Sequence, residues 1–90
     1  MNLMNQVRIS KTALLIQPIH MEVLVFKTNL HDSKQISAVT PHINNLQGIA
    51  RWNVDLDDVD NVLRIESENL CARTVETTLQ QAGYICEELQ

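Results

Sequence analysis

Two kinds of hydrophobic pattern follow residue 20, and the first predicts strands. Residues 22–27 form an apolar, β-branched run that is typical of a strand. Residues 50–56 alternate apolar and polar side chains, which predicts a half-buried strand. Shorter strands are predicted at 62–66 and 84–89, on either side of a segment with a different period.

The second pattern has apolar residues three and four positions apart, as on one face of a helix. The first stripe consists of Ile36, Val39, Ile43 and Leu46. The second stripe consists of Cys71, Val75, Leu79 and Ala82. Gly48 and Gly83 follow the stripes, as expected at helix ends. Because proline lacks a backbone N–H, Pro41 predicts either a kink or a helix that restarts at Thr40.

The predicted order is β-α-β-β-α-β, which is the ferredoxin-like split fold. We therefore predict an α+β domain at 21–90, with an antiparallel four-stranded sheet and two helices on one face. An N-terminal arm, residues 1–20, precedes it and has no clear period. The expected helix caps are Asp32 or Ser33 for the first helix and Ser67 or Asn69 for the second.

Composition narrows the classes of function. Eleven acidic residues against seven basic ones give a net charge of −4, and no basic stripe suggests a nucleic-acid partner. The apolar stretch 13–16 is too short for a signal peptide or a membrane span, so we expect a cytoplasmic protein without a membrane partner. Cys71 and Cys86 form no close pair and are expected to be reduced, buried thiols, with a single disulfide as the alternative.

No catalytic constellation is visible in the sequence. The serines have no His-Asp partnership that the sequence places near them, and two glycines cannot build a phosphate-binding loop. We therefore expect a protein that is not an enzyme and that uses no cofactor.

Three short pieces of the chain resemble those of a known family. They are the end of the first helix (Val39, Ile43, Leu46, Gly48, Ile49), the strand Val54-Asp55-Leu56, and Ala82-Gly83-Tyr84. Over residues 22–88 the chain is similar to the heavy-metal-associated (HMA) domains of copper chaperones and metal-pumping ATPases. That resemblance implies the ferredoxin-like fold, with a metal-binding loop after the first strand.

The metal-binding motif of that family, G-M-x-C-x-x-C, is altered at the corresponding positions, 29–35. Leu30 occupies the methionine position, while Asp32 and Gln35 occupy the two cysteine positions. Thiolates select Cu(I) and Zn(II), and a carboxylate with an amide does not replace them. Lys34 would further oppose a cation. The resemblance therefore implies a degenerate metal site.

Other ligands at this loop remain an alternative. His31 and Asp32 are candidate metal ligands, and the acidic turn 57–60 is expected at the same end of the sheet. The simpler interpretation is a helix cap at Asp32, a solvated imidazole at His31 and aspartates that form local turn hydrogen bonds.

The first strand is apolar on both faces, although one face of such a sheet normally meets water. The family register would leave Leu24 and Phe26 outside, and a one-residue insertion in the loop would reverse the two faces. Together with the last strand, this predicts an interface formed by Leu24, Phe26, Ile85 and Leu89. Either the arm, through Leu14, Leu15 and Ile16, or a second copy in a homodimer is expected to cover it.

These observations favour a non-catalytic, HMA-like protein-interaction or dimerisation module linked to heavy-metal handling. The first alternative is a copper-chaperone-like protein that binds metal through non-cysteine ligands. A further alternative, by analogy of fold alone, is a small-molecule sensor.

Overall fold

The computed structural model describes residues 21–89. It contains β1 (Glu22–Thr28), α1 (Ser33–Asn44), β2 (Ile49–Asp55), β3 (Val62–Ser67), α2 (Ala72–Gln81) and β4 (Cys86–Glu88). The strands form one antiparallel sheet in the order β2-β3-β1-β4. The predicted ferredoxin-like fold is confirmed. The arm, with Leu14, Leu15 and Ile16, lies outside the described residues, among which no helix is long and apolar enough to cross a membrane.

The core lies between the sheet and the two helices. Its buried side chains are Phe26, Leu30, Val39, Ile43, Leu63, Ile65, Val75, Leu79 and Cys86. Val39 with Ile43 and Val75 with Leu79 are the inner positions of the two predicted helical stripes, which confirms the helical period. Since a fully buried aliphatic or aromatic side chain contributes about 1.5–3 kcal/mol, these residues provide most of the driving force for folding.

The register of β1 corrects the predicted interface. Phe26 pairs with Leu63 and Leu24 pairs with Ile65, and directly paired residues share a face. Because Leu63 and Ile65 are buried, Leu24 packs against the core and Phe26 is 0 % exposed. Leu24 and Phe26 are therefore core residues, and their assignment to an exposed interface was wrong.

The open face of β1 instead carries Val23, Val25 and Lys27. Val23 is 56 % exposed and Lys27 is also exposed. The residues of β1 that face solvent are therefore those that the alternative register, with one inserted residue in the loop, predicts. It keeps the Lys27 ammonium group in water, whereas the other register would have buried it.

α1 continues through Pro41, so the predicted restart at Thr40 is wrong. The helix runs unbroken from Ser33 to Asn44, and the Thr40 hydroxyl donates to the Ile36 carbonyl at 2.7 Å. Pro41 is exposed and lies in the last turn but one, where only one backbone hydrogen bond is lost. The buried Val39 and Ile43 hold the helix against the core on either side of it.

The start of α2 also differs from the prediction. Cys71 occupies the N-cap position without a side-chain hydrogen bond, so neither Ser67 nor Asn69 caps the helix. Ser67 belongs to β3, where its side chain is buried and its hydroxyl has no partner among the described residues. Asn69 takes a positive φ of 60° in the connecting turn. β4 is shorter than predicted, because the Tyr84 N–H is still used by the Leu79 carbonyl at the end of α2.

Gly48 connects α1 to β2 at a point where the chain passes close to β3. Its φ is +88°, and its carbonyl accepts a hydrogen bond from the Glu68 N–H at 2.8 Å. A Cβ at this position would collide with the Glu68 carbonyl oxygen. Both the backbone conformation and the close approach therefore require glycine.

We expect Gly48→Ala to lower the free energy of unfolding by about 3 kcal/mol, since the variant suffers both left-handed strain and a backbone collision. Gly83→Ala is the matched control. Gly83 also has a positive φ, of +98°, but nothing lies within 4 Å of its Cβ position. This control should lose only about 1 kcal/mol. Urea unfolding measures both, and equal losses would contradict the role assigned to the Glu68 contact.

Candidate functional site

The loop between β1 and α1 is anchored in the core by Leu30. This side chain is 0 % exposed and belongs to the same cluster as Phe26 and Val39. Its backbone N–H donates to Thr28 Oγ1 at 3.1 Å. Leu30 therefore acts as an apolar anchor, the role that its position in the motif implied.

Asp32 and Gln35, at the two cysteine positions of the motif, both bond to the backbone at the start of α1. Asp32 Oδ1 accepts from the Gln35 backbone N–H at 2.9 Å, and Gln35 Oε1 accepts from the His31 N–H at 2.9 Å. The arrangement is a variant of the capping box in which Gln35 reaches the residue before the N-cap and not the N-cap itself. The predicted cap at Asp32 is confirmed. The role of Gln35 was missed, although the spacing Asp-x-x-Gln is the signal for it.

Thr28 ties the loop to the turn between β2 and β3. Its N–H donates to the Asp60 carbonyl at 3.0 Å, and its hydroxyl donates to the Asn61 carbonyl at 2.6 Å. On the other side of the loop, Asn29 Oδ1 accepts from the Ile85 N–H at 2.9 Å. The loop is therefore fixed to two neighbouring connections by hydrogen bonds alone.

The acidic turn lies beside the loop, as predicted, but its carboxylates are used locally. Asp55 Oδ1 accepts from the Asp57 N–H at 3.0 Å, and Asp58 Oδ1 accepts from the Asp60 N–H at 2.8 Å. Such side-chain-to-backbone bonds are what aspartate ordinarily provides in turns. They hold the turn in shape and orient Asp55 and Asp58 toward the backbone.

His31 and Asp32 are neighbours on the surface. His31 Nδ1 lies 3.7 Å from Asp32 Oδ2, and the two side chains are 64 % and 49 % exposed. Within residues 21–89 no group of three or more histidine, cysteine, aspartate or glutamate side chains is arranged to hold a metal ion. The structure thus brings the two candidate ligands together without adding a third.

Both cysteines are free, and neither occupies a cysteine position of the motif. Cys86 pairs with Thr28 at the base of the loop. Cys71 is exposed at the start of α2, so the expectation of a buried thiol is wrong for this residue. Cys86 is buried in the core, as expected. Burial, with a smaller contribution from the Glu76 carboxylate, raises the pKa of the Cys86 thiol to about 12. A thiol with this pKa stays protonated at neutral pH and is a poor metal ligand.

The open face of the sheet carries an apolar strip beside β4. Leu89 lies next to Val25, whose carbonyl accepts the Leu89 N–H at 2.8 Å, and Leu89 is 40 % exposed. Val23 and Ile85 are also exposed, at 56 % and 57 %. Ile85 and Leu89 are therefore exposed, as predicted, while Val23 and Val25 take the places assigned to Leu24 and Phe26.

Several solved structures share this fold. Oxidized MerP from Ralstonia metallidurans CH34 has a TM-score of 0.67 and 12 % identity, covering 79 % of this chain and 100 % of that one. The N-terminal domain of apo ZntA has a TM-score of 0.68 and 22 % identity over 79 % and 96 %. The yeast copper transporter domain CCC2A has a TM-score of 0.65 and 17 % identity over 76 % and 94 %.

These likenesses show that the chain has the fold of an HMA domain, which confirms the resemblance at the level of the fold. No family model and no curated protein matches the sequence. At identities this low, the common fold positions the loop but does not assign it an activity.

Asp32→Ala should lower the free energy of unfolding by about 1 kcal/mol, because it leaves the Gln35 N–H without its acceptor. Gln35→Glu should preserve stability, since glutamate also closes a capping box. Lys34→Ala, an exposed change between them, is the matched control and should stay within about 0.5 kcal/mol. Chemical denaturation measures all three. An unchanged stability in Asp32→Ala would show that the carboxylate is not a cap.

Proposed function

We propose that this protein is a non-catalytic interaction module in which the metal loop of an HMA-type fold has become purely structural. The observation that carries the proposal is that the Asp32 and Gln35 side chains accept hydrogen bonds from the Gln35 and His31 N–H groups. Each of these side chains stands at a cysteine position of the motif, and each is used to begin α1. The loop is thereby held in place without a metal.

The chemistry of the remaining groups supports the loss of metal binding. Cu(I) and Zn(II) sites in such loops rely on thiolates. Cys86 lies opposite Thr28 at the base of the loop, but its side chain is buried in the core and its thiol has a raised pKa. The pair His31 and Asp32 offers two exposed donors, of which Asp32 also caps α1 through Oδ1, and Lys34 adds a positive charge close by in the sequence.

The open face is the proposed interaction surface. Its strip, now defined as Val23, Val25, Ile85 and Leu89, is apolar and partly or largely exposed, and the charged pair Lys27 and Glu87 separates Ile85 from the other three. Exposed apolar surface rimmed by polar residues often marks a contact site. We propose that a protein covers it, either the arm of the same chain through Leu14–Ile16 or a second copy. The setting we propose is heavy-metal handling in the cytoplasm, where free thiols such as Cys71 persist.

The second candidate function is metal handling through non-cysteine ligands. It is favoured by the 3.7 Å separation of His31 Nδ1 and Asp32 Oδ2. A complete site would need further donors from a second copy or from another protein, since two ligands leave most of the coordination sphere open.

Metal titration of the full chain under reducing conditions distinguishes these functions. We expect no stoichiometric binding of Zn(II) or Cu(I) by calorimetry or native mass spectrometry. The double variant Asp32→Cys with Gln35→Cys should gain one equivalent of either metal, because it restores the thiolate pair at the positions that the fold prepares for it. His31→Ala serves as the control and should behave as the unchanged chain does.

Two results would contradict the proposal. Stoichiometric binding to the unchanged chain that is lost in His31→Ala or Asp32→Ala would establish the second candidate. A double-cysteine variant that folds but binds neither metal would show that positions 32 and 35 are not the equivalents of the family's ligand positions.

A further inference from the structure

The two edges of the sheet differ in how their outward backbone groups are used. On β4 the Cys86 carbonyl accepts from Gln80 Nε2 at 3.2 Å, and the Glu88 N–H donates to Glu76 Oε2 at 2.8 Å. Side chains of α2 thus occupy this edge.

On the opposite edge, β2 has no strand on its outer side within the described part of the chain. The register of β2 shifts between Ile49 and Arg51, as at a β-bulge, and from Arg51 to Asp55 its pairing with β3 is regular. A regular edge without a partner is a template for pairing with another strand.

The bond from the Glu68 N–H to the Gly48 carbonyl fixes which residues of β2 point outward. It directs Glu68 toward β2, and backbone direction alternates along a strand, so the even-numbered residues of β3 also point toward β2. The residues of β2 that pair with these β3 residues direct their backbone N–H and C=O groups toward β3. They are Arg51, Asn53 and Asp55. The N–H and C=O groups of Trp52 and Val54 therefore face outward, away from the sheet.

We propose that a second copy of this chain pairs antiparallel with the outer edge of β2, about a two-fold axis at Asn53. In this register Trp52 of each copy lies opposite Val54 of the other. Both residues face outward, so each such pair exchanges both backbone hydrogen bonds. The inference rests on the proposed interaction role and identifies the partner as a second copy of the chain. The contact is made by the edge of β2, which is separate from the apolar strip.

The charges along β2 select this register. With the axis at Asn53, Arg51 of each copy lies opposite Asp55 of the other, and the pair forms twice by symmetry. These are positions without direct backbone bonds, where opposed side chains approach most closely. An axis at Trp52 or Val54 would instead place Asn53 opposite Arg51 or Asp55. Only the register centred at Asn53 joins the opposite charges.

Arg51 is well placed for such a contact. Its side chain is 77 % exposed, and its Nε lies 2.9 Å from Glu66 Oε2 on β3. Guanidinium has five N–H donors in a planar fork, so it can hold Glu66 and still donate to a second carboxylate. Asp55 is exposed on the same face of the sheet. One of its carboxylate oxygens accepts the Asp57 N–H at 3.0 Å, and a carboxylate has acceptor sites for a further donor. The contact would extend an existing ion pair across the edge.

The side chains on the opposite face of β2 are also self-complementary. Trp52 of one copy would lie beside Val54 of the other, an aromatic and a β-branched residue that favour each other across strands. β2 ends at Asp55 and its register shifts between Ile49 and Arg51, so the regular pairing is confined to residues 51–55 of each copy.

Size-exclusion chromatography with light scattering, over a concentration series of the full chain, tests the proposal by charge exchange. The unchanged chain should form a dimer of 10.3 kDa subunits. Arg51→Asp and Asp55→Arg should each weaken dimerisation by roughly tenfold or more, because like charges then face each other twice. An equimolar mixture of the two variants should recover the dimer, since each mixed pair is again opposite in charge.

Two further variants test whether dimerisation depends on the edge of β2 or on another surface. Arg64→Asp makes the same charge change on the same face of the neighbouring strand and should leave the dimer intact. Val54→Pro removes an outward N–H, a change that edge strands tolerate, and should abolish dimerisation. A chain that stays monomeric throughout, or a dimer unaffected by Val54→Pro or by the single charge changes, overturns the proposal. These results leave the metal titration unaffected, so the two proposals fail separately.

Discussion

The backbone donors at the start of α1 impose a constraint on every fold of this kind. The first turn of a helix leaves N–H groups free, and a loop that descends into the core cannot leave them unsatisfied. Asp32 accepts the hydrogen bond of the Gln35 N–H in this first turn, Gln35 accepts that of the His31 N–H just before it, and Leu30 supplies the apolar anchor beneath them. These contacts come from the chain itself, and the proposed loss of thiol ligands is compatible with them.

At one edge of the sheet, hydrogen bonds to side chains likewise satisfy backbone groups that have no partner strand. Gln80 and Glu76 on α2 take up outward backbone groups of β4, so this short strand is closed to a further strand. No comparable side chain protects β2 within residues 21–89, although β2 has seven residues and the edge strand β4 has three. The two edges of the sheet therefore differ, and the β2 edge is the one open to the proposed strand pairing. The proposed interaction role is consistent with this asymmetry.

The two helices and the order of elements could be predicted from sequence because the apolar period of a helix depends only on spacing. The faces of β1 could not, because both sets of alternate residues are apolar and only pairing with the buried Leu63 and Ile65 selects one. The effect of Pro41 on α1 could not be predicted for a related reason. The cost of a proline within the helix is offset by the burial of Val39 and Ile43 on either side of it, and the extent of that burial is seen only in the structure. The cap at Asp32 was predictable, whereas the bond from the His31 N–H to the Gln35 side chain needed the structure.

Amide hydrogen exchange of the full chain, in the presence of a metal chelator, tests most directly whether the loop is ordered without metal. The informative groups are the N–H groups of Leu30, Gln35 and Ile36, which donate to Thr28, to the Asp32 side chain and to the Asp32 carbonyl. The account predicts exchange slowed at least about tenfold relative to an unstructured chain, with no change on adding one equivalent of Zn(II). Exchange at unstructured rates that slows only after metal is added would contradict it.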